Sequence, residues 1–221
     1  MLSLKYSFLP DQSRSTLSAA YQAFEEIMRK VPLAELDLNA DIFTVIKDLR
    51  SVFTMGTTVP KPSQCQIKKE IFDHDGHSVE IYWINYPRRK SQINSDILLL
   101  YFHGGGYMLG DIYSKSYLLY SQRSSSFFCI SIGYSGFECH LSCLFNVTIL
   151  HLEYRLCPEH PLPASIDDAV ALYRALLRNN ISPSQILIMR DLAGGGLSLL
   201  TIQTLITRQL SAPRGVIVLS T

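Results

Sequence analysis

The chain has 221 residues, with 20 Lys and Arg against 19 Asp and Glu, a formal net charge of +1, and 47% apolar residues. That balance offers no field to attract nucleic acid or an anionic membrane, and the apolar content suits a packed domain rather than a disordered chain. Five cysteines, at 65, 129, 139, 143 and 157, make no disulfide framework; with no apolar signal core in the first fifteen residues and no apolar run long enough to span a membrane, a cytoplasmic protein in a reducing compartment is expected.

Tyr21, Phe24, Ile27, Met28 and Val31 form an apolar stripe at helical spacing, and Ile42, Val45, Ile46, Leu49 and Phe53 form a second. Pro60 and Pro62 end this section, so residues 1–60 are expected to be two amphipathic helices and 61–221 a different structure. A strand over 66–72 and an alternating strand containing Val79, Ile81 and Trp83 flank Asp75-Gly76, a hairpin turn signal. Unbroken apolar runs follow at 97–102, 147–152, 186–189 and 216–219, the pattern of strands buried on both faces. Helical stripes separate the later ones: Ile166, Ala169, Val170, Tyr173 and Leu177, then Leu199, Ile202, Leu205 and Ile206. Strand–helix alternation predicts an α/β fold with a mostly parallel sheet and helices on both sides. Residues 121–146 fit no period; they hold seven Ser, three Cys and two charged residues. The residues between His103 and Tyr154 outnumber the roughly 30 the fold needs there, and the excess falls on this stretch. This stretch is read as an aberrant insertion, of the kind a mis-assembled gene product would carry.

His103-Gly104-Gly105-Gly106 directly follows the run ending at Phe102. Glycines at a strand's end let backbone N–H groups converge on one point, the requirement for stabilising the oxyanion of a tetrahedral intermediate. Further on, residues 154–164 read YRLCPEHPLPA. Together these motifs resemble the hormone-sensitive-lipase-like group of α/β-hydrolases, the third family of that fold, over roughly residues 65–220. The resemblance implies an α/β-hydrolase fold with N-terminal cap helices and a carboxylic-ester hydrolase using a serine nucleophile. It also implies an oxyanion hole from Gly105, Gly106 and Ala193, supported by His103, Gly104, Asp191 and Gly194. No cofactor is implied, and the ligand is a small ester or hydrophobic molecule.

The family's third motif, Gly-Asp-Ser-Ala-Gly-Gly, appears here as Arg190-Asp191-Leu192-Ala193-Gly194-Gly195. Leu192 stands at the nucleophile's position, and its side chain has no atom that can attack a carbonyl. Ser198, nearly two helical turns further on, is too far from the oxyanion donors to replace it. All six histidines precede Leu192, and the chain stops at Thr221 before the strands that carry the family's acid and histidine. The expectation is a truncated, catalytically inactive member, or a non-catalytic binding protein such as the family's hormone receptors, or a fragment without function. Leaving 216–219 at a sheet edge predicts self-association. Asp73-His74-Asp75-Gly76-His77 and Cys139-His140 with Cys143 lack a complete ligand spacing, so no metal site is expected. Asp167 and Asp168 are read as helix-start carboxylates.

Overall fold

The computed structural model describes residues 39–52, 61–74, 76–85, 96–112, 118–119, 128–129, 133–191 and 194–219. The chain divides into two compact units, Met1–Asp37 and Leu38–Thr221, and all described residues belong to the second. The helix expected around 21–31 lies outside the described residues. Helix α1 spans Ile42–Val52. Asp41 caps it: its carboxylate accepts from the backbone N–H of Phe43 (3.0 Å) and Thr44 (3.1 Å), groups the helix's own ladder cannot satisfy.

Strands β1 (Gln66–His74) and β2 (His77–Asn85) pair as an antiparallel hairpin, and Gly76 takes φ +76° in the turn between them. Strand β3 (Leu98–Phe102) is buried along its whole length. Its side chains alternate, with Leu98, Leu100 and Phe102 in one core and Leu99 and Tyr101 in the other. A separate two-stranded ribbon joins β4 (Leu118–Leu119) to β5 (Phe128–Cys129). Helix α2 (Ser135–Phe145), strand β6 (Thr148–Glu153), helix α3 (Ala164–Arg178), strand β7 (Ile186–Arg190), helix α4 (Gly194–Thr207) and strand β8 (Gly215–Val218) complete the described order. The main sheet runs β1-β2-β6-β3-β7-β8. The β6–β3, β3–β7 and β7–β8 pairings are parallel; β1–β2 and β2–β6 are antiparallel.

One core contains Leu100, Leu150, Leu172, Tyr173, Ile188 and Leu197, between the sheet and helices α3 and α4. The other contains Tyr101, Ile149 and Met189 beneath Cys139 and Leu141 of α2. Helices thus cover both faces, as the apolar runs predict. Strand β8 is the exception: Ile217 and Val218 are exposed, and in the described sheet the strand pairs on one side only.

The structure adds a helix to one expectation and corrects another. The period-free stretch 121–146 contains α2, whose buried residues are Gly136, Glu138, Cys139, Leu141 and Ser142. A helix that buries small and polar residues shows no hydrophobic stripe, so its period is invisible in the sequence. Cys139 also forms a disulfide with Cys65, across 74 residues, so the cysteines are not all reduced. Such a bond persists in oxidising surroundings, and cysteine usage therefore no longer supports a reducing compartment. Among the described residues no helix is long and apolar enough to cross a membrane.

Candidate active site

The carboxyl ends of β3 and β7 bring the first and third motifs together. After Phe102 the chain turns through Gly104, Gly105 (φ +119°), Gly106 (φ +66°) and Tyr107 (φ +62°). The carbonyl of Gly105 accepts from the N–H groups of Met108 (3.1 Å) and Leu109 (2.9 Å), folding the segment onto itself. A Cβ at Gly105 would overlap the Leu109 carbonyl oxygen, so glycine is required there for space as well as for φ. At the start of α4, a Cβ on Gly194 would overlap the carbonyl oxygen of Phe102. Glycine therefore lets the helix N-terminus sit against the end of β3. Leu192 and Ala193, between β7 and α4, lie outside the described residues.

The neighbours of that turn are defined. Arg190 is buried, and its guanidinium occupies the space a side chain at Gly195 would fill; its Nε has no hydrogen-bond partner. Tyr107 lies against Gly196, where a Cβ would overlap its hydroxyl. Burial pushes the Tyr107 phenol up, and the nearby Arg190 charge opposes that rise. Asp191 accepts from the hydroxyls of Tyr101 (3.1 Å) and Tyr134 (3.3 Å). Burial raises its pKa, against the pull of these bonds and the Gly104 backbone. Ser198 is fully buried, and its hydroxyl donates to the carbonyl of Gly194 at 3.0 Å. That bond within its own helix leaves Ser198 facing no substrate.

The second motif braces the first. Cys157 N–H donates to the Tyr107 carbonyl at 2.8 Å. Arg50, in the last turn of α1, donates to the carbonyls of Met108 (2.7 Å) and Cys157 (2.7 Å) and grips Glu159 through both terminal nitrogens at 2.6 and 2.9 Å. The bond from Arg50 holds the Glu159 carboxyl below its usual value. Sequence reasoning passed over Arg50, whose only signal was a basic residue ending an amphipathic helix. Asp168 is more than a helix-start carboxylate: buried, it accepts from the Arg155 backbone N–H (2.8 Å) and side chain and lies 2.6 Å from His77 Nε2. His77 of the hairpin motif is thus committed to Asp168.

Sequence reasoning also missed a buried group behind the glycine turn. His103 and His151 stack with ring centroids 5.5 Å apart and planes 7° from parallel. His103 donates Nδ1–H to the Gly104 carbonyl (2.7 Å), while Tyr154 donates to the His103 carbonyl (2.7 Å). Burial, then the neighbouring His151, lowers the His103 pKa to about 4, so its ring is neutral near pH 7. His151 Nδ1 lies 2.7 Å from Glu138 Oε1, and its Nε2 lies 3.5 Å from Glu153 Oε2. Burial alone would lower His151; the two carboxylates outweigh it and raise the pKa to about 10.

A family model described as alpha/beta hydrolase fold matches residues 138–221. Tuliposide A-converting enzyme b1, amyloplastic, of Tulipa gesneriana is 31% identical over 179 residues, 73% of this chain and 42% of that protein. An acetyl-hydrolase of Streptomyces hygroscopicus is 34% identical over 123 residues, 56% of this chain and 33% of that protein. A mutant of the esterase E40 superposes with a TM-score of 0.69 at 25% identity, over 92% of this chain and 58% of its own. EstE5, in a crystal soaked with p-nitrophenyl butyrate, gives a TM-score of 0.65 at 25% identity, over 91% and 57%. This chain therefore spans less than half the length of the tulip and Streptomyces relatives.

Proposed function

The chain belongs to the α/β-hydrolase fold-3 family, and we propose that it is a carboxylic-ester hydrolase by descent whose elbow carries no nucleophile. Leu192, in Arg190-Asp191-Leu192-Ala193-Gly194 between β7 and α4, is the observation that carries this reading. A hydrocarbon side chain can neither attack an acyl carbon nor be activated by a base. The nearby alternative, Ser198, is buried and bonded to Gly194. The positive-φ glycines Gly105 and Gly106, with Ala193, would still offer backbone donors to an oxyanion, and His103, Gly104, Asp191 and Gly194 support that turn. Donors and binding without a nucleophile retain about 10³–10⁴ over water in serine hydrolases, far below normal turnover. What persists is recognition of a small ester or apolar molecule.

The test is p-nitrophenyl butyrate hydrolysis beside fluorophosphonate labelling, both on this chain. We expect no acyl burst and no covalent adduct. Stoichiometric labelling mapped to one side chain overturns the reading. If the site binds without reacting, small apolar esters raise the melting temperature while remaining intact. We also propose self-association through residues 216–219, whose exposed apolar side chains are Ile217, Val218 and Leu219.

A further inference from the structure

We propose that Arg190 and Tyr107, at the N-terminus of α4, form a binding site for a small oxyanion, a carboxylate or a phosphate group. Arg190 ends β7, and its side chain leaves the sheet on the side of α4. Its guanidinium lies against Gly195, with the central carbon 2.8 Å from where a Cβ on that glycine would stand. The residue is only 7% exposed, and its Nε is buried without a hydrogen-bond partner. Among the described residues no carboxylate answers this charge. Asp191, next in the chain, points to the opposite face and accepts from Tyr101 and Tyr134. Glu159 is held by Arg50, and Glu138 and Glu153 both face His151.

This placement is unfavourable twice over. A guanidinium taken out of water needs a counter-charge or hydrogen-bond acceptors. Arg190 has beside it instead the first turn of a 14-residue helix, whose N–H groups carry partial positive charge. A cation at that end is repelled by the helix dipole, whereas an anion is attracted by the helix and by the cation together. Tyr107 adds a further donor. Its hydroxyl lies against Gly196, one residue along, and burial keeps the phenol protonated although the Arg190 charge opposes the rise in its pKa. Side chains at 195 and 196 would fill the space that the guanidinium and the phenol occupy, so the two glycines make the cluster possible. Solvent reaches it, since Gly106 and Gly196 are exposed and Tyr107 is half-buried. A planar guanidinium presents paired N–H groups that match two oxygens of a carboxylate or phosphate, and the phenol can donate to the same group. The site depends on Arg190, which stands where the esterase motif has glycine, and it holds whether or not the chain hydrolyses esters.

The experiment titrates the full, folded chain by calorimetry with sodium butyrate and, separately, with sodium phosphate, each against sodium chloride at matched ionic strength. Saturable binding of one equivalent of at least one oxyanion is expected. Binding of butyrate alone would assign the site to carboxylates, and of phosphate alone to phosphate groups. Arg190→Met keeps an unbranched stem and removes the charge, and should weaken binding roughly 10–100-fold. Tyr107→Phe should weaken it about 3–10-fold. A folded parent that gives no saturable heat with either oxyanion overturns the proposal. So does an oxyanion that Arg190→Met binds as tightly as the parent, which would place it elsewhere on the surface. If Arg190→Met fails to fold, Tyr107→Phe decides, and an affinity equal to the parent's overturns the site. None of these outcomes alters the fluorophosphonate result, so failure here and failure of the esterase reading are distinguishable.

Discussion

Gly105 and Gly76 both have positive φ, but they differ in what surrounds them. Nothing lies within 4 Å of a Cβ placed on Gly76, whereas one on Gly105 runs into the Leu109 carbonyl. Gly76→Ala should therefore cost only the left-handed backbone penalty, about 1–2 kcal/mol. Gly105→Ala adds a clash with backbone that cannot swing away, and overpacking alone costs about 1–3 kcal/mol more. Urea midpoints of the two variants test the ranking; equal losses would mean that the turn rearranges freely. The need for glycine at 105 was legible because three glycines follow a buried strand. Arg50, Glu138 and His151 were not legible, since their partners are set by the fold. Arg50 reaches across 58 and 107 residues to Met108 and Cys157, and Glu138 meets His151 only because α2 packs beside β6.

Element boundaries from 61 onward followed the apolar runs closely, because strands buried on both faces leave an unbroken signature. Helix α2 left none, and the forces that hold it are of a different kind. Its Cys139 is cross-linked to Cys65, just before β1, and its buried Glu138 faces His151. Closing a loop of 74 residues removes chain entropy from the unfolded state, with a typical gain of about 2–4 kcal/mol. Cys65→Ser with Cys139→Ser should lose stability in that range, and dithiothreitol should produce the same loss in the parent and none in the double variant. A parent indifferent to reductant would show that the helix is held by packing alone. Arg50 makes the corresponding link for α1. Arg50→Ala removes bonds to two backbone carbonyls and to Glu159, and hydrogen bonds from a charged group contribute about 1.5–3 kcal/mol each before discount for exposure. Because the side chain is 31% exposed, a total loss of about 1–2 kcal/mol is expected. Faster amide exchange at Cys157, whose N–H binds the Tyr107 carbonyl, would report it. Arg50→Lys should not restore the loss, since one ammonium cannot reach both carbonyls and the carboxylate in a planar fork.

At the scale of the molecule, the sheet's two described edges differ in kind. On β1, Lys68 and Lys69 are exposed, and inward of it β2 completes the hairpin. Charged side chains of this sort discourage a second chain from pairing. On β8 the residues are Gly215, Val216, Ile217 and Val218, followed by Leu219, with no charge among them. Ile217, Val218 and Leu219 are 38%, 43% and 45% exposed, and the Leu219 N–H donates inward to Arg190. Among the described residues β8 pairs only with β7, and an apolar strand so placed is a template for a second copy; two such edges meeting about a two-fold axis would bury both sets of side chains at once. Sedimentation of the parent should therefore show concentration-dependent association, and Ile217→Lys should shift it toward monomer while leaving the β7–β8 pairing and the far-ultraviolet spectrum intact. The substitution sits where a lysine can extend into solvent, so its effect on folding is small and its effect on pairing large. Parent and variant sedimenting alike as monomers would show that this edge does not recruit another copy.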